Sequence, residues 1–203
     1  MFHVKHTLLV KLEAYRNLLT TYHHTLDLMS ERAIASLDVK LSEAQAYAEL
    51  IAPHLSPTDR ILDVGSGAGL PGVPLALTFP DNQVTWVERR QRRANFLRIV
   101  ASQLDLSNVS VFAGDVRVMR GLPYTWVCAQ AVGHYKLLYC LTQHLHADTI
   151  TLVTRRGVLS STEQIELERV TGPVLAAESV PLATHGTLVA LRLQGGQRCP
   201  SSV

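Results

Sequence analysis

The chain has 203 residues, 47% hydrophobic and 18% charged, with a formal net charge of +2. A chain of this size buries roughly 70% of its unfolded surface and needs no staple to fold, and the composition excludes a disordered or fibrous protein. The longest apolar-looking run, 61–79, contains Asp63, glycines and prolines, which excludes a membrane helix of about 20 apolar residues.

In chain order, Leu8, Leu12, Tyr15, Leu19, Tyr22, Leu26 and Met29 recur at steps of four and three, predicting a long helix with one apolar face. Leu41, Ala44, Ala48, Ile51 and Leu55 predict a second helix, and Pro57 with its polar neighbours closes this extension, 1–59. From residue 60 the pattern alternates. Strand-like runs at 60–64, 83–87, 109–113, 125–130 and 149–154 are separated by helical stretches near 71–79, 91–104, 134–145 and 160–170. Ser160 and Glu163 fit a capping box for the last helix. Such alternation predicts a parallel sheet covered on both faces. Two final runs, 174–180 and 187–193, are too close for a crossover and must form an antiparallel hairpin. The expected architecture is a doubly wound, seven-stranded, mostly parallel Rossmann-like sheet over 60–203 with a helical cap, packed as one unit.

Residues 1–6 lack a basic lead, an apolar stretch and a cleavage site. Cys128, Cys140 and Cys199 are few, odd in number and without a CxxC, a pattern expected of free thiols in a reducing compartment. The expectation is a cytoplasmic protein with neither disulfide nor metal. His23-His24 and His144-x-His146 lack a third ligand in register and read as surface or helix-end histidines. Cys128, within an apolar strand, reads as inert packing.

The strongest motif is Ile61-Leu62-Asp63-Val64-Gly65-Ser66-Gly67-Ala68-Gly69-Leu70-Pro71-Gly72. Its glycines follow a strand and open a helix, where the backbone must turn sharply and admit a ligand closely. Glu88 ends the next strand, placed to accept hydrogen bonds from both hydroxyls of a ribose. Leu70 stands where a dinucleotide fingerprint needs glycine, so the spacing is that of S-adenosylmethionine-dependent methyltransferases and disfavours a nicotinamide oxidoreductase. Ligands of open α/β sheets lie beyond the carboxyl ends of the strands. The residues there are Asp63, Gly65, Glu88, Asp115, Gln130 and Arg155-Arg156. Asp115 suits an adenine amino group, with the Val116 amide on the ring, and Asp63 suits either the loop itself or the ligand's ammonium.

Lys and Arg number 19, arginine dominates, and Arg89, Arg90, Arg92, Arg93 and Arg98 fall close together. Arginine suits bidentate phosphate contact and stacking on bases, although such clusters are commonly solvated helix faces.

These residues resemble the glucose-inhibited division protein B family, small-subunit ribosomal RNA methyltransferases that modify N7 of a guanine. The resemblance covers about 12–193 and is densest over 61–114. It rests on the loop with its Leu70-Pro71-Gly72 extension, on Val87-Glu88 before Arg92-Arg93-Ala94-Asn95-Phe96-Leu97-Arg98, and on Leu104-Asp105-Leu106-Ser107-Asn108-Val109. It implies S-adenosylmethionine held by Asp63, Gly65, Ser66, Gly67, Gly69, Leu70, Glu88, Asp115, Val116, Arg117 and Gln130. It implies small-subunit ribosomal RNA as the substrate, for which the cations Arg89, Arg92, Arg93, Arg155 and Arg156 are the expected contacts, with Arg156 and Gln130 beside the reacting base; a monomer is expected. The chain departs from the family at Asp115 and Gln130, where arginines are usual, and carries Arg156-Gly157 for a Lys-Gly.

Guanine N7 has a lone pair at neutral pH, so no general base is required and positioning is the main task. Arg155 and Arg156 could instead pair with Glu163 or Glu166. Tyr135, Tyr139 and Trp126 read as core before they read as base-stacking residues. Two other functions stay open. A methyltransferase of a small molecule or protein would show a closed aromatic pocket. A S-adenosylmethionine-binding module with reduced catalysis is favoured by Asp115 and Gln130.

Overall fold

In the computed structural model, residues 2–130, 133–156, 159–182 and 186–199 are described, excepting the side chains of 2–5. Ala131 and Gly157, both in the segments set against the family, lie outside them, as do 183–185 of the terminal turn. The apolar steps of the first segment form α1, Phe2–Leu26, burying Leu12, Tyr15 and Leu19. Two helices follow where one was expected. Ser30 caps α2, Glu31–Ala35, its side chain accepting from the Ala33 amide, and α3, Leu37–Ile51, buries Ala44, Tyr47, Ala48 and Ile51.

The alternating region gives β1 Arg60–Val64, α4 Gly72–Thr78, β2 Gln83–Glu88, α5 Gln91–Gln103, β3 Val109–Ala113, β4 Tyr124–Ala129, α6 Tyr135–Thr142 and β5 His146–Arg155. Then come α7 Ser161–Thr171, β6 Ala176–Pro181 and β7 Thr187–Gln194. The seven strands run in the order β3-β2-β1-β4-β5-β7-β6. β1 through β5 pair in parallel, while β7 is antiparallel to both β5 and β6. The Ser160–Glu163 capping box forms at α7 as expected.

Because strands inside a doubly wound sheet are buried on both faces, each face carries its own core. One joins Tyr15, Leu19, Tyr47, Trp86, Phe96 and Trp126 under α1, α3, α4 and α5. The other joins Leu62, Val127, Tyr135, Tyr139, Leu152 and Leu167 under α6 and α7. Tyr135, Tyr139 and Trp126 are therefore core, as expected of such aromatics. Among the described residues no helix is long and apolar enough to cross a membrane.

One expectation fails. Cys140 on α6 and Cys199 are joined in a disulfide across 59 residues, and only Cys128 is a free, buried thiol. The tail folds back onto α6, and the Cys199 amide donates to Oε1 of Gln143, just after that helix, at 2.6 Å. Spacing alone could not reveal a pairing that depends on where the tail returns.

Candidate active site

The loop after β1 is tied down by its neighbours' backbone. The Gly65 and Ser66 amides both donate to the Val87 carbonyl on β2, at 2.9 and 3.0 Å. The Ser66 hydroxyl donates to the Asp63 carbonyl at 2.9 Å, and the Gly69 amide to the Ser66 carbonyl. Gly69 has φ +106°. A Cβ there would lie 2.7 Å from Val73 Cγ2 and 2.9 Å from the Tyr15 hydroxyl, so glycine is required on two counts. The Leu70 side chain is in the core, leaving its backbone for any ligand.

Two carboxylates anchor this loop. Glu88 Oε2 accepts from the Gly67 amide at 3.0 Å and Oε1 from the Arg90 amide at 2.7 Å. Each carboxylate oxygen has a second lone pair, so the acid can hold the loop and still accept from a ribose. Asp63 Oδ2 accepts from the Gly72 amide at 3.1 Å. Its Oδ1 is buried with no hydrogen-bond partner among the described residues. Burial, the largest influence, raises the Asp63 pKa to about 7, with the hydrogen bond from the Gly72 amide opposing and the nearby Glu88 charge adding. Of the two roles foreseen for Asp63, the structure exhibits the loop-fixing one.

Further along the edge, Asp115 caps a single turn, Val116–Val118. Its carboxylate takes the Arg117 amide at 3.0 Å and the Arg117 guanidinium at 2.6 Å. Those bonds hold it at about 2. Val116 opens the turn, and such an amide has no partner within its own turn. Gln130 directly follows β4 and is half-buried. Arg155 ends β5 and pairs at 2.7 Å with Glu43 of α3, itself 3% exposed. Arg156 pairs with Glu163 at 3.4 Å and meets His134 Nδ1 at 3.0 Å. Thus Arg156 has the acidic partner expected, whereas Arg155 is held from the other face.

The arginine cluster divides. Arg93 donates to the Asp27 carbonyl at 3.0 and 2.6 Å, and Arg90 stands 3.8 Å from the Asp27 carboxylate. Arg89 and Arg92 are exposed and make no ion pair among the described residues. Two tyrosines missed as site residues complete the edge. Tyr15 donates to the Ala68 carbonyl at 2.8 Å and Tyr47 to the Ala129 carbonyl at 3.1 Å. Tyr15 sits on the predicted apolar face of the first helix, Tyr47 lies outside the apolar set that predicts the second, and the clue was that a buried tyrosine hydroxyl needs a partner. A separate cavity of about 490 Å³, lined by His54, Asp59, Trp126, Thr151 and Arg192 among others, contains none of the loop residues.

The fold is that of the O-methyltransferase from Bacillus cereus solved in complex with SAH, at TM-score 0.64 and 12% identity over 89% of this chain and 90% of that one. It is also that of the M. jannaschii TYW2 solved with AdoMet, at TM-score 0.58 and 15% identity over 76% and 77%. Sheet order, terminal hairpin, glycine loop and the acid that ends β2 are those of the class I, S-adenosylmethionine-dependent methyltransferase fold. The relatives narrow this further. The ribosomal RNA small subunit methyltransferase G of Nitrosomonas eutropha is 32% identical over 87% of this chain and 81% of its own length. That of Nitrosomonas europaea is 31% identical over 92% and 88%. For the Methylobacillus flagellatus protein, 37% identical, the match spans 56% of this chain and about half, 55%, of the relative. The family described as rRNA small subunit methyltransferase G matches residues 8–183, and the chain belongs to it.

Proposed function

We propose that the protein transfers the methyl group of S-adenosylmethionine to N7 of a guanine in small-subunit ribosomal RNA. The observation that carries this is the pairing of Glu88 with the glycine loop at the carboxyl edge of β1 and β2, in a chain whose family match runs through that edge. Glu88 takes the ribose. Gly65, Ser66, Gly67, Gly69 and Leu70 present backbone to the donor, and the buried, unpartnered Oδ1 of Asp63 fits a polar donor group. Asp115 and Val116, with Arg117 beside them, take the adenine, and Gln130 borders the methyl. The sulfonium supplies an activated methyl: N7 attacks its carbon, the carbon–sulfur bond breaks, and the charge passes to the guanine. No residue need remove a proton first.

Arg89 and Arg92, both exposed, face the RNA, and Arg156 with Gln130 holds the base; Arg93 and Arg155, expected on the RNA as well, are instead taken up by Asp27 and Glu43. The enzyme acts in the cytoplasm, where small subunits are made. It works as a monomer, since one chain supplies the whole edge. Residues 1–59 and 60–203 act as one unit, which the Tyr15–Ala68 and Tyr47–Ala129 hydrogen bonds support.

A second reading, a S-adenosylmethionine-binding module with reduced catalysis, draws on the acids that already answer Arg117, Arg155 and Arg156. Incubation with methyl-labelled S-adenosylmethionine and small subunits from cells lacking this gene separates the two. Label recovered as 7-methylguanosine is expected; donor binding without label establishes the second reading, and label on another nucleoside removes the N7 assignment.

A further inference from the structure

We propose that His23, His24 and Glu31 form a binding site for a zinc-type divalent cation that closes the turn between α1 and α2. The two histidines lie in the last turn of α1, and the chain reverses through Asp27 at φ +50°. The Leu28 amide donates to the His23 carbonyl at 3.1 Å. That reversal lays Glu31, the first residue of α2, over the last turn of α1 and supplies the third ligand that the sequence pattern lacked.

Glu31 Oε1 lies 3.2 Å from His24 Nε2 and 3.6 Å from His23 Nε2. All three ligand atoms fall within 4.8 Å of one another. Tetrahedral zinc with bonds of about 2.0–2.1 Å holds its ligands about 3.3–3.4 Å apart, so two of the three edges already match. Two nitrogens, one carboxylate oxygen and a water in the fourth position is a familiar zinc set.

His23 is also oriented as a ligand should be. It is 7% exposed, and its Nδ1 lies 2.8 Å from the Thr20 carbonyl. A carbonyl only accepts, so Nδ1 carries the proton and the neutral ring keeps its lone pair on Nε2, towards Glu31. A backbone carbonyl behind a histidine is the usual outer support of a metal ligand. Simple ion pairing is a poorer account. The two ring centroids lie 4.0 Å apart with the planes tilted by 38°, and two imidazolium charges so close would repel while sharing one carboxylate oxygen. A single divalent cation satisfies all three groups. The thiols do not compete, since Cys128 is buried and the other two are bonded.

The site lies behind the glycine loop. The turn it closes carries the Asp27 carbonyl gripped by Arg93, and Arg93 in turn passes close to Gly67. The test is titration of the untagged full chain with Co2+, followed by its visible ligand-field bands, then displacement by Zn2+. One equivalent is expected, with binding weakened at least tenfold in Glu31→Gln and in His24→Ala and unchanged in His54→Ala. His24 and Glu31 side chains are mostly exposed, so both variants should keep the parent's circular dichroism. Absence of saturable cobalt uptake, or uptake equal in the parent and both variants, overturns the proposal.

Discussion

At the β1–β2 end of the sheet's carboxyl edge, Asp63 and Glu88 are answered by the amides of Gly72, Gly67 and Arg90. At the β5 end, Arg155 and Arg156 are answered by the side chains of Glu43 and Glu163. The first end gets its partners from within one motif, the Gly67–Glu88 bond spanning 21 residues, while Glu43 reaches Arg155 across 112. Backbone partners survive most substitutions, because every residue but proline supplies them. Side-chain partners are lost with one change. The β1–β2 end is thus built to be rigid and the β5 end to be adjustable.

The sharpest way to break this contrast is Glu43→Ala. It leaves Arg155 largely buried without its carboxylate and should lower stability by about 3 kcal/mol, read from urea unfolding. Equal midpoints for parent and variant would mean the β5 end does not depend on that pair. Next, Glu88→Ala should weaken S-adenosylmethionine binding at least tenfold, about 1.4 kcal/mol, by calorimetry. Near-normal binding would remove Glu88 from the ribose.

A third experiment uses pH. Folded Asp63 titrates at about 7 against 3.8 in the open chain. The folded state therefore holds the extra proton between those values, and this contribution to stability fades as pH rises through them. His146 opposes it: burial lowers its pKa to about 3 from 6.5, so the unfolded state holds that proton and stability falls as pH drops from 6.5. Asp63→Asn removes only the first effect. The variant should gain on the parent by up to about 1.4 kcal/mol for each pH unit between about pH 4 and 7; a constant difference would show that Asp63 is ionised throughout. The smallest effect belongs to Arg156→Ala. It should leave donor affinity intact, weaken RNA binding by about fivefold and lower its salt slope by about one. An unchanged slope would take Arg156 off the phosphates.

Legibility followed the same division. Periods of 3.6 and 2 placed the helices and strands, and the short return between the last two runs forced the hairpin. The glycine loop and Glu88 were readable because their partners are backbone, which any sequence supplies. Arg155–Glu43, the Cys140–Cys199 bond and the approach of Glu31 to His23 and His24 were not, since each depends on segments that meet only after folding. The α2 helix was missed for a plainer reason: its five residues are too short for any period to show.

The strand order also bears on synthesis. β6 is made before β7, yet among the described residues its one neighbour in the sheet is β7, which lies between it and β5. Until residues 187–194 leave the ribosome, β6 has nothing to pair with and β5 has an open side. The nascent chain can complete its β1–β2 end early, but β5 and β6 are joined only through the last strand, so an arrest before that point leaves the outer side of β5 unpaired and β6 without a partner.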